Sequence, residues 1–187
     1  MKKAIGLRFV PYEESKHADC HFLGGPLLPK SLVDCFGDEV LFLGMIDLEK
    51  VAEFDADNVL PHHGHLYFFF DTKRSYRKLE PLFRYSKAEL DVMVDDFNEA
   101  FLEECPNATT PLGIEFCLVD EDAEGCKLLG VPCDWNYPDP PKGKLLLTVS
   151  HYDAELDFLP VLDGFTYVFF GPEGKSLEEA YCHYEYA

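Results

Sequence analysis

The apolar residues of this chain gather in short unbroken runs. Val40-Leu41-Phe42-Leu43-Gly44-Met45-Ile46, Leu66-Tyr67-Phe68-Phe69-Phe70, Leu145-Leu146-Leu147-Thr148-Val149 and the stretch from Gly164 to Phe170 are the clearest. A run of this length, rich in β-branched and aromatic side chains, is a buried strand rather than a helix. All of them fall far short of the ~20 residues needed to cross a bilayer.

The runs also follow one another in a repeated order. Leu41 to Asp47 is succeeded by Leu60-Pro61, Gly64, Tyr67 and Phe69-Phe70, and Leu145 to Ser150 by Leu159-Pro160, Gly164, Tyr167 and Phe169-Phe170. In both copies the glycine serves a tight turn and the aromatic run after it packs inward. The pattern predicts two related β units, about residues 40–71 and 144–171, each too small to bury a sheet alone and so packed as one body.

Shorter strands are expected at Ala4–Val10, ended by Pro11, at Ile114–Val119 and in the alternating Tyr181–Tyr186 segment. The paired glycines and prolines of 22–29 suit a rigid packed loop. Leu48, Val51 and Ala52 recur at helical spacing. A long amphipathic helix is expected from Ser86 to about Glu104. Ser86 and Glu89 match a capping box, and Leu90, Met93, Val94, Phe97 and Phe101 make an apolar stripe opposite Asp91, Asp95, Asp96 and Glu99. The expected fold class is therefore α+β, with two related antiparallel β units packed as one body and one long helix between them, in a single domain spanning 1–187.

At 187 residues the chain can bury roughly 70% of its unfolded surface. Its 35 acidic against 16 basic residues give a net charge of −19. A field of that sign repels phosphate backbones and anionic lipid, so neither nucleic acid nor membrane is an expected partner, whereas a basic protein is. The odd count of seven cysteines, with no short repeated spacing, suits a reducing cytoplasm. After Met1-Lys2-Lys3 no apolar stretch reaches signal-peptide length, so no export signal is expected.

Gly25-Pro26-Leu27-Leu28-Pro29, Leu41 to Leu48, Leu60 to Asp71, Leu128-Leu129-Gly130-Val131-Pro132 and Gly164 to Phe170 resemble, in order, successive blocks of the YwqG-like family of bacterial proteins of unknown function. The chain departs from that pattern at Gly44-Met45 and Thr148, where the family usually has glutamine. The resemblance implies an α+β fold and an intracellular bacterial protein, and it carries no catalytic residues. Relatives have been suggested to act among immunity proteins that neutralise toxins.

Candidate chemistry is sparse. His62, His63 and His65 are the densest group of potential metal ligands, and an extended strand would send His63 and His65 to one face, although turn histidines beside a glycine are commonly just solvated. Asp47, Asp71, Asp153 and Asp157 lie near strand ends without a motif to order them. Cys126 and Cys133 match neither zinc-ribbon nor thioredoxin-like spacing, and no motif calls for a cofactor. For partner binding, the acidic helix face (Asp91, Asp95, Asp96, Glu99) and the aromatic pair Trp135 and Tyr137 are the candidates. The sequence thus reads first as an acidic protein-interaction module, a candidate immunity protein. The alternatives are a metal-dependent enzyme using the histidine turn and a small-ligand binding protein with its cleft between the two β units.

Overall fold

The computed structural model describes residues 2–33, 40–71, 80–90, 92–93, 106–133, 135, 139, 143–150, 153, 155–156, 164–171 and 176–186. The apolar runs are strands, joined by further ones. In chain order they are β1 (Lys3–Pro11), β2 (His21–Phe22), β3 (Leu27–Leu28), β4 (Val40–Asp47), β5 (His65–Asp71) and β6 (Glu80–Ser86). The rest are β7 (Val92–Met93), β8 (Leu112–Asp120), β9 (Lys127–Leu128), β10 (Leu145–Ser150), β11 (Gly164–Phe169) and β12 (Tyr181–Tyr186).

Ten strands form one sheet in the order β12-β11-β10-β9-β1-β8-β2-β4-β5-β6. Every neighbouring pair is antiparallel. The two edges, β6 and β12, therefore run in opposite directions, and their Cα atoms approach within 8 Å. The sheet thus curls into a barrel that is nearly closed, open only along the β6/β12 seam. Such curling is how a large antiparallel sheet limits its exposed edges.

The expected α+β class and its long helix are overturned. The described helices are short, α1 (Lys30–Val33) and α2 (Leu48–Val51) plus single 3-10 turns. Ser86 ends a strand opposite His65, and its hydroxyl accepts from the Ala88 N–H two residues on, at 3.1 Å, which makes a serine turn in place of a helix cap. Val92 and Met93 pair with Leu28 and Leu27. The Ser-x-x-Glu spacing suits either structure locally, and strand pairing decides the outcome. Leu90 packs onto the outer cluster of Leu28, Phe42, Met45, Tyr67 and Phe69. The remainder of the stripe, 94–105, lies outside the described residues.

The strand order reads the same after exchanging β1, β2, β4, β5 and β6 with β8, β9, β10, β11 and β12. The registers repeat with it. Phe42 faces Phe69 and Gly44 faces Phe68, with Leu43 the extra residue of a bulge; Leu145 faces Phe169 and Leu147 faces Val168, with Leu146 the extra residue. The first strands cross over between halves. β1 pairs with β9 and β8 with β2, so the Leu7 N–H donates to the Cys126 carbonyl at 2.9 Å and the Ile114 N–H to the Cys20 carbonyl at 3.1 Å. Arg8 lies opposite Glu115 and forms an ion pair with it at the pseudo-twofold axis relating the halves. Because each half supplies a strand to the other, neither closes its sheet alone.

Alternation sets the layers. Inward residues such as Ile5, Leu7, Phe22, Leu43, Phe68, Phe116, Leu147 and Val168 fill the barrel. Each large side chain buried this way contributes about 1.5–3 kcal/mol. The outer face is covered twice: Leu28, Leu32 and Val33 lie over Phe42, Met45, Tyr67 and Phe69, while Trp135 lies over Tyr167 and Phe169.

Candidate functional site

With the interior filled, the described residues leave a space at the seam. A cleft of about 720 Å3 opens there, within the roughly 300–1,000 Å3 range of small-molecule sites. Asp57, Asn58, Val59, Leu60, Pro61, Tyr85 and Lys87 come from the first half, and Lys144, Ser176, Leu177 and Glu178 from the second.

The first wall is held by one buried acid. Asp55 is 3% exposed, and its carboxylate accepts from the N–H of Val59 at 3.1 Å and of Leu60 at 2.7 Å, with His62 Nε2 at 3.3 Å. Those bonds satisfy amides that the turn, with Asn58 at φ 51°, leaves without a ladder partner. Leu60 anchors the turn in the core. The Tyr85 hydroxyl donates to the His63 carbonyl at 3.1 Å, which fixes the ring against the same loop. On the second wall the Phe170 N–H donates to the Lys144 carbonyl at 3.0 Å and the Gly171 N–H to the Ser176 carbonyl at 3.1 Å, while Leu177 is buried in the barrel core.

The cleft carries both signs of charge. Lys87 Nζ sits 5.9 Å from the centre of the Tyr85 ring. Burial, then the Glu178 carboxylate, raises the Tyr85 phenol above its ordinary value, so it remains a neutral donor at neutral pH. Lys3, Arg8, Lys16 and Lys50 each have a carboxylate within 4 Å, whereas Lys87 and Lys144, like Lys2, Lys30, Arg84 and Lys127, have none among the described residues.

A second polar group lies on the outer face of the first half. The His21 ring bonds the Leu23 carbonyl through Nδ1 at 2.9 Å, and burial lowers its pKa, so the neutral imidazole carries its proton on Nδ1. Tyr67 is fully buried, and among the described residues neither its hydroxyl nor His65 Nδ1 has a hydrogen-bond partner. The matching positions of the second half hold Lys127, whose ammonium is bound by the Glu121 and Ala123 carbonyls, and Tyr167.

The residues singled out from the sequence are dispersed. His63 is in the turn before β5 and His65 opens that strand, and among the described residues no three His, Cys, Asp or Glu side chains gather to hold a metal. Asp47 caps α2 through the Glu49 N–H at 2.9 Å, and Asp153 accepts from the Cys126 N–H at 2.7 Å. Trp135 is half-buried: its ring packs on Tyr167, Phe169 and His183, and its indole N–H donates to the Asp139 carbonyl at 2.8 Å. Asp91, Asp95, Asp96, Glu99 and Tyr137 lie outside the described residues, as does Asp157.

Sequence reasoning missed Asp55, Tyr85, Lys87, Lys144 and Ser176–Glu178. An acid four and five residues before two amides it holds, just ahead of Leu60-Pro61, is a loop signal that points to Asp55. The lysines carry no such signal, because they meet only through the barrel's closure. No family model matches the chain, nor does any curated protein or solved structure.

Proposed function

We propose that this chain is a binding protein that receives a small ligand in the cleft at the β6/β12 seam. The observation that carries the reading is that cleft, ligand-sized and walled by segments of both halves that are pinned by Asp55, Leu60 and Leu177. A preformed concave site between two β units is where binding is least costly, because the walls need no ordering when the ligand arrives. Ser176→Trp would fill the cleft from a half-buried position without entering the core. A fragment library should raise the melting temperature of the unaltered protein, and the same fragments should leave the variant unmoved. Equal shifts in both proteins would place binding elsewhere and remove the reading.

A second reading, an acidic module for a basic protein partner such as a toxin, is favoured by the charge of −19 and by exposed acids in the connections that follow β1 and β8, Glu13 and Glu14 in one and Asp122 and Glu124 in the other. It requires salt-sensitive capture of a basic protein at low ionic strength. Cys20, Cys117, Cys126 and Cys182 are free thiols, Cys117 exposed, which supports a reducing compartment such as the cytoplasm. Among the described residues, no helix is long and apolar enough to cross a membrane.

A further inference from the structure

We infer that the segment covering the outer face of the first half is a strap that opens on its own, while the barrel stays folded, and so bares Tyr67. The strap is residues 25–33 together with β7, and none of them lines the seam cleft.

The start of the strap is fixed. Leu23 and Gly24, at φ 60° and 68°, turn the chain out of β2, and their N–H groups donate to the Leu43 carbonyl at 2.7 Å and the Ala108 carbonyl at 2.9 Å. Beyond that turn, among the described residues, the backbone bonds of the strap stay within it. Leu27 and Leu28 pair with Met93 and Val92, and the Leu32 N–H donates to the Pro29 carbonyl at 2.8 Å. What holds the strap to the ten-stranded sheet is side-chain packing, of Leu28, Leu32 and Val33 on Phe42, Met45, Tyr67 and Phe69. A cover without ladder bonds to the sheet beneath separates at a lower free energy than the strands of that sheet do.

The covered face is also not wholly apolar. Tyr67 is fully buried with no partner for its hydroxyl among the described residues, and His65 Nδ1, two residues earlier on the same face of β5, is in the same position. A phenol packed dry forfeits its bonds to water, and opening restores them. Burial of Leu28, Phe42, Met45 and Phe69 favours the closed form, and the stranded hydroxyl offsets part of that gain, so the open form is a minor state of the native protein.

Met45 is a built-in reporter, 1% exposed beneath the strap, because peroxide oxidises a methionine when it can reach the sulfur. The experiment measures peroxide oxidation of Met45 in the full-length protein by peptide mass. Alkylation of Cys126, in the core of the second half, is followed in parallel samples as the probe of global unfolding. Tyr67→Phe, which removes only the hydroxyl, should slow Met45 oxidation about tenfold. Val149→Ala, which weakens the core of the second half, should speed Cys126 alkylation and leave Met45 oxidation unchanged. Low urea replaces Val149→Ala if that variant does not fold: a local opening bares little surface, so Met45 oxidation should rise far less steeply with urea than Cys126 alkylation. If Val149→Ala or urea speeds both reactions by the same factor, Met45 is reached only through global unfolding and the strap does not open by itself. If Tyr67→Phe leaves Met45 oxidation unchanged or faster, the buried hydroxyl does not drive opening, which equally overturns the proposal.

Discussion

Cys20 and Cys126 occupy the same place in the two halves of the barrel. Each Sγ accepts from a backbone N–H at the end of the following long strand, Asp47 at 3.3 Å for Cys20 and Ser150 at 3.3 Å for Cys126. Each then sits 3.9 Å from the carbonyl of that same residue. Three residues on, Leu23 and Leu129 both take positive φ, 60° and 63°, followed by Gly24 and Gly130 at 68° and 84°. These paired thiols and turns stitch the short crossing strands β2 and β9 to β4 and β10.

Both thiols should be inert in the native state. Burial pushes Cys20 up to about 12 and Cys126 well above its ordinary value, so neither supplies thiolate at neutral pH, whereas Cys117 is exposed. Alkylation followed by peptide mass mapping should label Cys117 in the native protein, and Cys20 and Cys126 only at denaturant concentrations that unfold it. Early labelling of either would contradict their burial.

Asp55 is the residue on which the first wall of the cleft depends. Asp55→Ala should cost about 1–3 kcal/mol, because the buried Leu60 amide and the part-buried Val59 amide lose their acceptor at once, and Asp55→Asn should cost less by keeping an acceptor oxygen. Urea unfolding gives the stability, and fragment affinity should fall with it as the loop loosens. Unchanged affinity in Asp55→Ala would show that the loop does not shape the site.

Two glycines with similar backbones should respond differently. At Gly64, φ is 82° and an added Cβ would lie 2.5 Å from the Ser86 carbonyl oxygen, whereas at Gly125, φ is 89° and the nearest atoms are Asp153 oxygens at 3.5 Å. Gly125→Ala should cost about 1–2 kcal/mol from the left-handed backbone alone. Gly64→Ala should cost clearly more, since Ser86 must also move and β6 with it. Equal midpoints on denaturation would argue against the β5/β6 register.

The pH dependence of stability has two opposed contributions. Burial lowers His21 below 6.5, so the unfolded chain binds more protons there, and stability is lost as pH falls from 6.5 through the folded value. Burial raises Asp153 above 3.8, so the native state binds more protons just above that pH, and stability is lost as pH rises through the folded value. Asp153→Asn keeps an acceptor for the Cys126 N–H and should remove the second slope; His21→Gln should remove the first. Urea midpoints measured from pH 4 to pH 8 check both signs.

Much of the fold is legible in the letters. The runs of β4, β5, β10 and β11 declare themselves as buried strands, and the spacing of Gly64 and Tyr67 against Gly164 and Tyr167 is visible by eye. The helix expected from Ser86 fails because a serine followed by an acid three residues later serves a turn as readily as a cap, and the pairing of Val92–Met93 with Leu27–Leu28 is long-range. The crossing of β1 and β8 between halves leaves no local trace, since β2 and β9 are two residues each. The cleft is hidden for the same reason: Tyr85, Lys144 and Leu177 become neighbours only when the sheet curls until its edges meet.

The most direct test of the central claim is a crystal of the protein soaked with a mixed fragment library. The proposed site predicts difference density in the cleft beside Tyr85, Pro61 and Ser176. A well-soaked crystal with an accessible seam, showing fragments elsewhere and none in this cleft, would contradict it.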